Sequence, residues 1–573
     1  MQYTNINTLD DDVLFFIFNY YRQDEENGWN VHLGWRKLSQ VCRRWRHLIH
    51  CLAFHLDMYI LCTNGTPIIG TLDHLPPLPL FIDYRDTSLP ITPLDELAIG
   101  HALLLRDRVR HVDLHLPPSI LHTFLPLIDG PFLMLEHLSL SYPNGGDPNL
   151  ILPKTFLAPN LRHLKLVSID IPKRLRLLTS TVSLITLMLT DIRTPGYFHP
   201  RLLAARLQSL PRLEKFSIGF AIPIPRPSEE IELSSKRGAT VMLPNLKHLA
   251  YKGVSAYLEC LVAQIRTPLL ERLEITLFNQ VAFELPHLSH FTNTIERFKF
   301  PVAKVGFGCN TVSVTMEHRN TQQSGGRFSL HVLCSQMDWQ VECATQICNT
   351  LNHMLLGVEE LGIILHEETM PTEWLFDEIE SATWHELLRM FNGVKELHIC
   401  AALSQELSRV LELNVVGSNP AFLPFLRKIV SGSEGSVAEN LFRFFVHARR
   451  TAGNPVRYPQ SECKARALYT STSLDSLPSP FPSTTILTLN LTITDTADPD
   501  DPNELSFSEG EILDIFDRSY MWWYGQKEDG THGCMSYLLT DSNACMLIPS
   551  CSYPVKLCRN RRHPTTEDLA GEI

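Results

Sequence analysis

One apolar pattern recurs along most of the chain: an apolar residue, two intervening residues, a second apolar residue, one intervening residue and a third apolar residue. Its first copy is Val109/Val112/Leu114, and its eighth is Ile295/Phe298/Phe300. The central residues of the eight copies are Val112, Leu138, Leu164, Leu187, Phe216, Leu249, Leu273 and Phe298. Successive central residues are therefore 23 (187 − 164) to 33 (249 − 216) positions apart. Weaker copies follow at Val358/Leu361/Ile363 and Val394/Leu397/Ile399. Alternation of apolar and polar positions within each copy predicts a strand with one buried face.

The segments between copies predict helices. Helical periodicity is present at Arg201–Ser209, Ala256–Ile265, Val341–Leu355 and Trp374–Phe391. A strand and a helix in each unit of about 20–29 residues is typical of leucine-rich repeats. The predicted fold class is therefore α/β: a leucine-rich-repeat solenoid over residues 106–430, with a curved parallel sheet and outer helices. The alternative is that the pattern arises by chance in a leucine-rich chain.

Three further segments flank the predicted solenoid. Residues 1–55 read as a small all-helical unit, in which Val13, Leu14, Ile17 and Phe18 form one apolar stripe. Residues 56–105 include the proline-rich Leu75–Pro79 and are predicted to be a connector. Residues 431–573 are rich in Ser, Thr, Pro, Gly and acidic residues, so we expect an irregular and partly disordered tail.

Composition narrows the class of protein. The 573 residues include 50 basic and 62 acidic side chains, a net charge of −12, which argues against nucleic-acid binding. No apolar run approaches the roughly 18–20 residues that span a bilayer, and the acidic Asp10–Asp12 precedes the first apolar segment. We therefore expect a cytoplasmic or nuclear protein that binds no membrane. The 14 scattered cysteines are typical of buried thiols in a reducing compartment.

The opening helices resemble a known family. The segment Leu9–Phe18, followed by Trp35–Leu48 with its string Leu38-x-x-Val41-Cys42-Arg43-x-Trp45, is similar to an F-box. With the repeats behind it, the chain resembles F-box proteins with divergent leucine-rich repeats that are common in basidiomycete fungi. The resemblance implies that the box docks the Skp-type adaptor of a cullin–RING ubiquitin ligase. The residues expected at that contact are Leu9, Val13, Leu14, Ile17, Phe18, Leu38, Val41, Cys42, Trp45 and Leu48.

The repeats would then hold a substrate. Positions between the buried strand residues should face the concave side of the solenoid, since strand side chains alternate between faces. In the first eight copies these positions are neutral to basic, which suggests an acidic or phosphorylated target protein. The candidate residues are His137, His163, Lys165, Lys215, His248, Arg272, Arg297 and Lys299. The alternative is that they are ordinary solvated positions.

We find no sequence motif for catalysis or for cofactor binding. His385-Glu386-Leu387-Leu388-Arg389 has Arg where a zinc protease needs its second His, and no phosphate-binding glycine loop or nucleophile elbow occurs. Cys534, Cys545, Cys551 and Cys558 have spacings that are atypical of zinc sites. We therefore expect no enzyme activity, no catalytic residue, no metal and no cofactor.

Two functions follow from these observations. The first is the substrate-recognition subunit of an SCF-type ubiquitin ligase, implied by the F-box resemblance. The alternative is a non-catalytic leucine-rich-repeat scaffold that does not engage the ligase, because Leu9-Asp10 stands where the F-box family has Leu-Pro.

Overall fold

A computed structural model divides the chain into two compact units, Met1–Cys463 and Lys464–Ile573. The residues that it describes are 9–24, 38, 41–51, 59–64, 78–86, 89–142, 150–172, 176–223, 240–278, 284–319, 326–334, 337–366, 381–416, 423–432, 440–457, 487–490, 512–517, 522–527 and 532–536. The domain boundaries expected from the sequence stay predictions. Much of the expected irregular tail lies outside the described residues.

The α-helices, numbered in chain order, are α1 Asp11–Asp24, α2 Arg43–Cys51, α3 Pro93–Leu104, α4 Pro118–Phe124, α5 Arg176–Ser180, α6 Pro200–Leu207, α7 Ser255–Val262, α8 Pro286–Asn293, α9 Met337–Thr350, α10 Asn352–Leu355, α11 Ser381–Arg389, α12 Ser404–Val416 and α13 Arg443–Thr451. Short 3-10 turns occur at Leu125–Ile128, Thr194–Gly196 and Ala401–Leu403. Helices therefore lie in all four segments where the periodicity predicted them.

The strands of the first unit are β1 Ile60–Cys62, β2 Leu80–Tyr84, β3 Val109–His115, β4 His137–Ser141, β5 His163–Val167, β6 Thr186–Ile192, β7 Lys215–Phe220, β8 Val241–Met242, β9 His248–Gly253, β10 Ile265–Arg266, β11 Arg272–Leu277, β12 Val302–Phe307, β13 Thr311–Glu317, β14 Arg327–Leu333, β15 Glu360–Leu365, β16 Glu396–Ile399 and β17 Lys428–Ser431. Those of the second unit are β18 Leu487–Asn490, β19 Ile512–Asp517, β20 Trp522–Lys527 and β21 His532–Ser536.

A large, mostly parallel sheet organises the first unit. Fifteen strands are hydrogen-bonded in the order β1-β2-β3-β4-β5-β6-β7-β9-β11-β14-β13-β12-β15-β16-β17, while β8 and β10 form a separate pair. All neighbours in the large sheet pair in parallel except β13, which is antiparallel to β12 and to β14. The sheet is open, with β1 and β17 at its two edges. The α/β prediction with a large parallel sheet and helices is therefore confirmed at this coarse level.

The apolar repeat builds the core. The pairing register places Leu138 opposite Leu164, then Leu187 and Phe216, so the central residues of successive copies form one row. Every member of that row is at most 1% exposed. Full burial of a leucine side chain stabilises a fold by about 1.5–3 kcal/mol, so the repeated row is a principal source of stability.

The structure differs from the pattern at the eighth copy. Residues 295–300 are not a strand, and β12 begins at Val302 instead. Phe298 and Phe300 are buried, so the apolar signal is real, but both serve the core just before the strand. The backbone oxygen of Pro301 accepts bonds from the amides of Glu359 and Glu360 and thereby starts the pairing with β15. The two weaker copies are confirmed as β15 and β16.

The sheet also starts earlier than the first copy. β1 and β2 lie within the segment expected to be a connector, and Leu80 pairs with Val109 of the first repeat. Leu80, Ile82 and Tyr84 are buried on alternate positions of β2. The apolar pattern of β2 is too short to carry the full repeat, so periodicity alone could not assign it.

The second unit contains a small sheet. Its described strands form an antiparallel sheet in the sequential order β18-β19-β20-β21. The ladder between β19 and β20 shifts register between Ile515 and Asp517. Among the described helices of the whole chain, none has the length and apolar character that a membrane span requires.

Candidate functional site

One face of the large sheet carries polar side chains. These residues alternate along the strands with the buried leucines, so they project from the opposite side of the sheet. We call the side formed by the residues between the buried ones the polar sheet face. On β3 to β5 it includes His111, Asp113, His137, Ser139, His163 and Lys165.

A row of aromatic and histidine rings crosses this face at its N-terminal end. We call it the ring ladder; its members are Tyr59, Phe81, His111, His137 and His163. Successive ring centroids are 3.9, 5.2, 4.1 and 5.7 Å apart. His111 and His137 are nearly parallel, with an interplanar angle of 10°.

Strand register explains the ring ladder. Phe81 is directly opposite His111, which is opposite His137, which is opposite His163. Neighbouring strands are about 4.8 Å apart, which is close to a stacking distance for flat rings. Aligned parallel strands therefore turn residues that are distant in sequence into one continuous stack.

The electrostatics of the ring ladder are unusual for histidines. Burial and the neighbouring His137 lower the pKa of His111 to about 4. Burial alone would raise the pKa of Asp113, but His137, Ser139 and Arg85 together lower it. At neutral pH this part of the polar sheet face therefore pairs an uncharged imidazole at His111 with an ionised carboxylate at Asp113.

Six of the eight predicted substrate-binding residues lie on strands of the large sheet, and two do not. Lys215 and Arg272 are exposed at strand starts, and four others are half-buried on the polar sheet face: His137, His163, Lys165 and His248. Arg297 and Lys299 lie outside any strand, and the Arg297 guanidinium donates to Glu271 at 2.5 Å. The structure thus brings six of the eight residues onto one surface, and their role in binding stays a prediction.

Acidic partners on the same surface balance these basic groups. His248 Nε2 lies 3.6 Å from a Glu274 oxygen, and Arg272 Nε lies 3.9 Å from the other oxygen of that carboxylate. Near the C-terminal edge, Lys428 pairs with Glu396 at 3.2 Å. The strip that the sequence predicted to be neutral to basic is therefore a surface of mixed charge.

The N-terminal helices enclose much of their own apolar surface. Trp45 of α2 packs edge-to-face on Phe18 of α1 with ring centroids 5.0 Å apart, and Arg44 donates to the carbonyl of Leu9 at 2.6 Å. Leu14 and Leu48 are also buried.

The other residues expected at an adaptor contact are less enclosed. Val13, Ile17 and Val41 are exposed, whereas Leu9, Leu38 and Cys42 are half-buried. The resemblance of this segment to an F-box stays a prediction. Trp35 lies outside the described residues.

The C-terminal unit gives a second candidate site. In its sequence, β20 carries the consecutive aromatic residues Trp522, Trp523 and Tyr524. β19 and β20 are adjacent antiparallel strands, and Asp529-Gly530 precedes β21. Asp-Gly between two short strands, here β20 and β21, is a hairpin signal that could have identified this unit in the sequence. The abundance of Ser, Pro and Asp around it obscured that signal.

The tail cysteines of the second unit contribute no described cluster. Cys534 lies in β21, whereas Cys545, Cys551 and Cys558 lie outside the described residues. The free thiols described in the first unit are Cys42, Cys62, Cys260, Cys309, Cys334, Cys343, Cys348 and Cys400.

Comparisons with known proteins concern this second unit. Residues 498–535 match the SH3 domain family. Over 38 residues, 7% of this chain and 12% of the relative, the chain is 60% identical to the high osmolarity signaling protein SHO1 of Schizophyllum commune. It is 51% identical over 37 residues to the protein of that name from Mycosarcoma maydis, and 46% identical over 52 residues to the one from Ajellomyces capsulatus. The chain spans only 11–16% of the length of these relatives.

These findings correct the functional prediction. The prediction that the chain is the substrate-recognition subunit of a cullin–RING ubiquitin ligase is wrong. The predicted Skp-type adaptor partner is wrong for the same reason. The findings that overturn these two predictions are the SH3 match and the similarity to high osmolarity signaling proteins. The error came from reading residues 431–573 as irregular, which left the F-box resemblance as the dominant signal. Residues 498–535 are thus similar to an SH3 domain, and the chain is similar over a short stretch to fungal high osmolarity signaling proteins.

Proposed function

We propose that this protein is a signalling adaptor with two protein-binding surfaces. The SH3-like segment binds a proline-rich partner, and the polar sheet face of the first unit binds a second protein. The observation that carries this proposal is the 60% identity of the C-terminal segment to a high osmolarity signaling protein.

SH3 domains recognise extended polyproline helices. Such a ligand is already ordered before it binds, so little entropy is lost, and its prolines dock against an aromatic-lined groove. The sequence of β20 supplies a dense group of aromatic residues for that purpose. The antiparallel order of β18 to β21 supports a small all-β unit of this kind.

We further propose that the first unit is a solenoid of leucine-rich-repeat type. In-register rows of buried leucines, mostly parallel pairing and helices between many of the strands support that assignment. Such repeats present a long sheet surface to partner proteins.

The described residues of the first unit support a role in protein binding rather than in catalysis. Ser313 Oγ lies 2.7 Å from His366 Nε2, which is the spacing of a nucleophile and its base. However, Ser313 is only 1% exposed, so a substrate could not reach its oxygen. We therefore propose that the chain is not an enzyme.

The test is calorimetric titration of the full-length chain with a Pro-x-x-Pro peptide. We expect saturable binding with a micromolar dissociation constant. The matched control is the same peptide with both prolines replaced by alanine, which loses the preordered helix and should bind at least tenfold more weakly. Equal affinity for the two peptides, or no binding of either, would contradict the proposal.

A variant pair locates the contact. Trp522→Ala and Trp523→Ala change adjacent residues of β20. We expect at least one of them to abolish peptide binding while the circular dichroism of the chain is retained, and Trp339→Ala in the first unit to leave binding unchanged. Retained binding in both β20 variants would place the peptide elsewhere.

A further inference from the structure

We propose that His111, Asp113 and His137 form a binding site for a divalent transition-metal ion such as Zn²⁺. One donor atom from each side chain can be chosen so that all three lie within 4.8 Å of one another. No metal is expected from the sequence, because these residues come from two repeats and match no ligand motif.

Two adjacent strands hold the three side chains. His111 and Asp113 are two positions apart on β3 and therefore share the polar sheet face. His137 lies directly opposite His111 on β4, and Ser139 lies opposite Asp113. β3 and β4 each pair with a neighbouring strand on both sides, so the backbone positions of the donors are fixed and little order has to be created on binding.

The donor set suits a borderline metal ion. Two imidazoles and one carboxylate are typical of zinc and of other first-row metals, whereas magnesium and calcium prefer oxygen ligands alone. Three protein ligands leave one position open in a tetrahedral site. Water, or a side chain of a bound partner, can occupy that position.

A buried nitrogen supports the site independently. Nε2 of His137 is shielded from solvent and has no hydrogen-bond partner among the described residues. The nearest Asp113 oxygen is 3.8 Å away, beyond hydrogen-bond distance. A buried polar atom without a partner is costly, and a metal ion placed between His137 and Asp113 would satisfy it.

Binding requires a small local adjustment. Zinc ligand atoms lie about 2.0–2.2 Å from the metal, so neighbouring ligands are about 3.4 Å apart. The parallel rings of His111 and His137 must therefore rotate toward a common point. Arg85, whose Nε lies 3.5 Å from Asp113 Oδ2, must also yield that oxygen or share the carboxylate.

The test uses the full-length chain freed of metal with a chelator. Titration with Co²⁺ as a spectroscopic probe should give one equivalent of a site with visible absorption bands and without the thiolate charge-transfer band of a cysteine site. His137→Ala and Asp113→Asn should each weaken that site at least about 100-fold, because each removes a direct ligand.

The matched control is His163→Asn. His163 is the next member of the ring ladder but does not belong to the three-residue cluster. This variant should keep the Co²⁺ spectrum and its affinity.

Thermal unfolding with and without Zn²⁺ separates ligand loss from misfolding. Wild type and His163→Asn should gain thermal stability with Zn²⁺, whereas folded Asp113→Asn should not. A Co²⁺ spectrum unaffected by His137→Ala and Asp113→Asn would overturn the proposal, as would equal loss in His163→Asn.

Discussion

At the residue scale, Glu259 shows how a buried carboxylate joins two repeats. Its side chain, on α7, accepts hydrogen bonds from the backbone amides of His287 and Leu288 at 2.7 and 2.8 Å, in the first turn of α8. These amides have no partner within their own helix, so Glu259 supplies one from a neighbouring repeat. Burial outweighs the two bonds and raises the pKa of Glu259 to about 7.

This pKa predicts a pH-dependent stability. The pKa of Glu259 in the folded chain, about 7, exceeds its ordinary value of 4.5. The protonated side chain therefore contributes to the free energy of unfolding in full below pH 4.5, and this contribution is lost as pH rises through 7. Between pH 4.5 and 7.5 the free energy of unfolding should fall in wild type and fall less in Glu259→Gln. The two decreases should differ by about 1–3 kcal/mol.

Urea unfolding at a series of pH values measures this difference. Glu342→Gln, a substitution at an exposed position of α9, is the control for the change in net charge. Parallel pH profiles for wild type and Glu259→Gln would show that the carboxylate is not linked to stability.

At the scale of elements, α11 is anchored to the sheet by one large side chain. Trp384 is 0% exposed and packs edge-to-face on Phe307 of β12, with ring centroids 5.4 Å apart. Phe307 is also fully buried, so the pair fills the layer between the helix and the sheet. Removal of one partner would leave a cavity that the rigid strand cannot close.

Trp384→Ala should therefore lower the free energy of unfolding by about 3–5 kcal/mol. Trp339→Ala on α9 is the matched control, since Trp339 is 42% exposed, and it should cost less than about 1 kcal/mol. Chemical denaturation monitored by far-ultraviolet circular dichroism compares the two. Similar losses in both variants would mean that the indole of Trp384 does not fill the interior.

The predictability of the elements follows from the length of their patterns. Strands β3 to β7, β9 and β11 each contain at least the second and third apolar residues of a repeat copy, and their positions were predicted nearly correctly. β12 to β14 were not, because Ala303, Val305 and Phe307 are buried on a strand that lacks the repeat spacing. The ring ladder could not be predicted at all, since it depends on cross-strand register rather than on any local sequence.

At the scale of the whole molecule, two units of different construction share one chain. The described buried core of the first unit extends from Leu14 to Val456, within the unit that ends at Cys463. The parallel sheet was detectable because many repeats reinforce one signal, whereas the SH3-like segment has only a few short strands. Its identity therefore required comparison with other proteins.

A chain ending at Cys463 should unfold cooperatively, because the truncation removes none of the described core. We expect its thermal midpoint within about 2 °C of the corresponding transition in the full chain, measured by circular dichroism. A broad transition, or a midpoint lowered by more than about 5 °C, would show that the first unit needs the segment after Cys463. Peptide binding should be lost in this truncated chain.

The antiparallel strand β13 has a consequence for how such a sheet can grow. Leu273 of β11 aligns through Phe328 and Met316 with Ala303 of β12, so excising β13 and β14 would leave two strands that match in direction and register. With only one added antiparallel strand, the chain would leave the sheet at the end opposite to the one where α9 now begins. α9 could then not connect to β15 in its present direction. An ancestor or a redesigned descendant can therefore gain or lose strands here only in pairs, and this position is a natural point for grafting a hairpin.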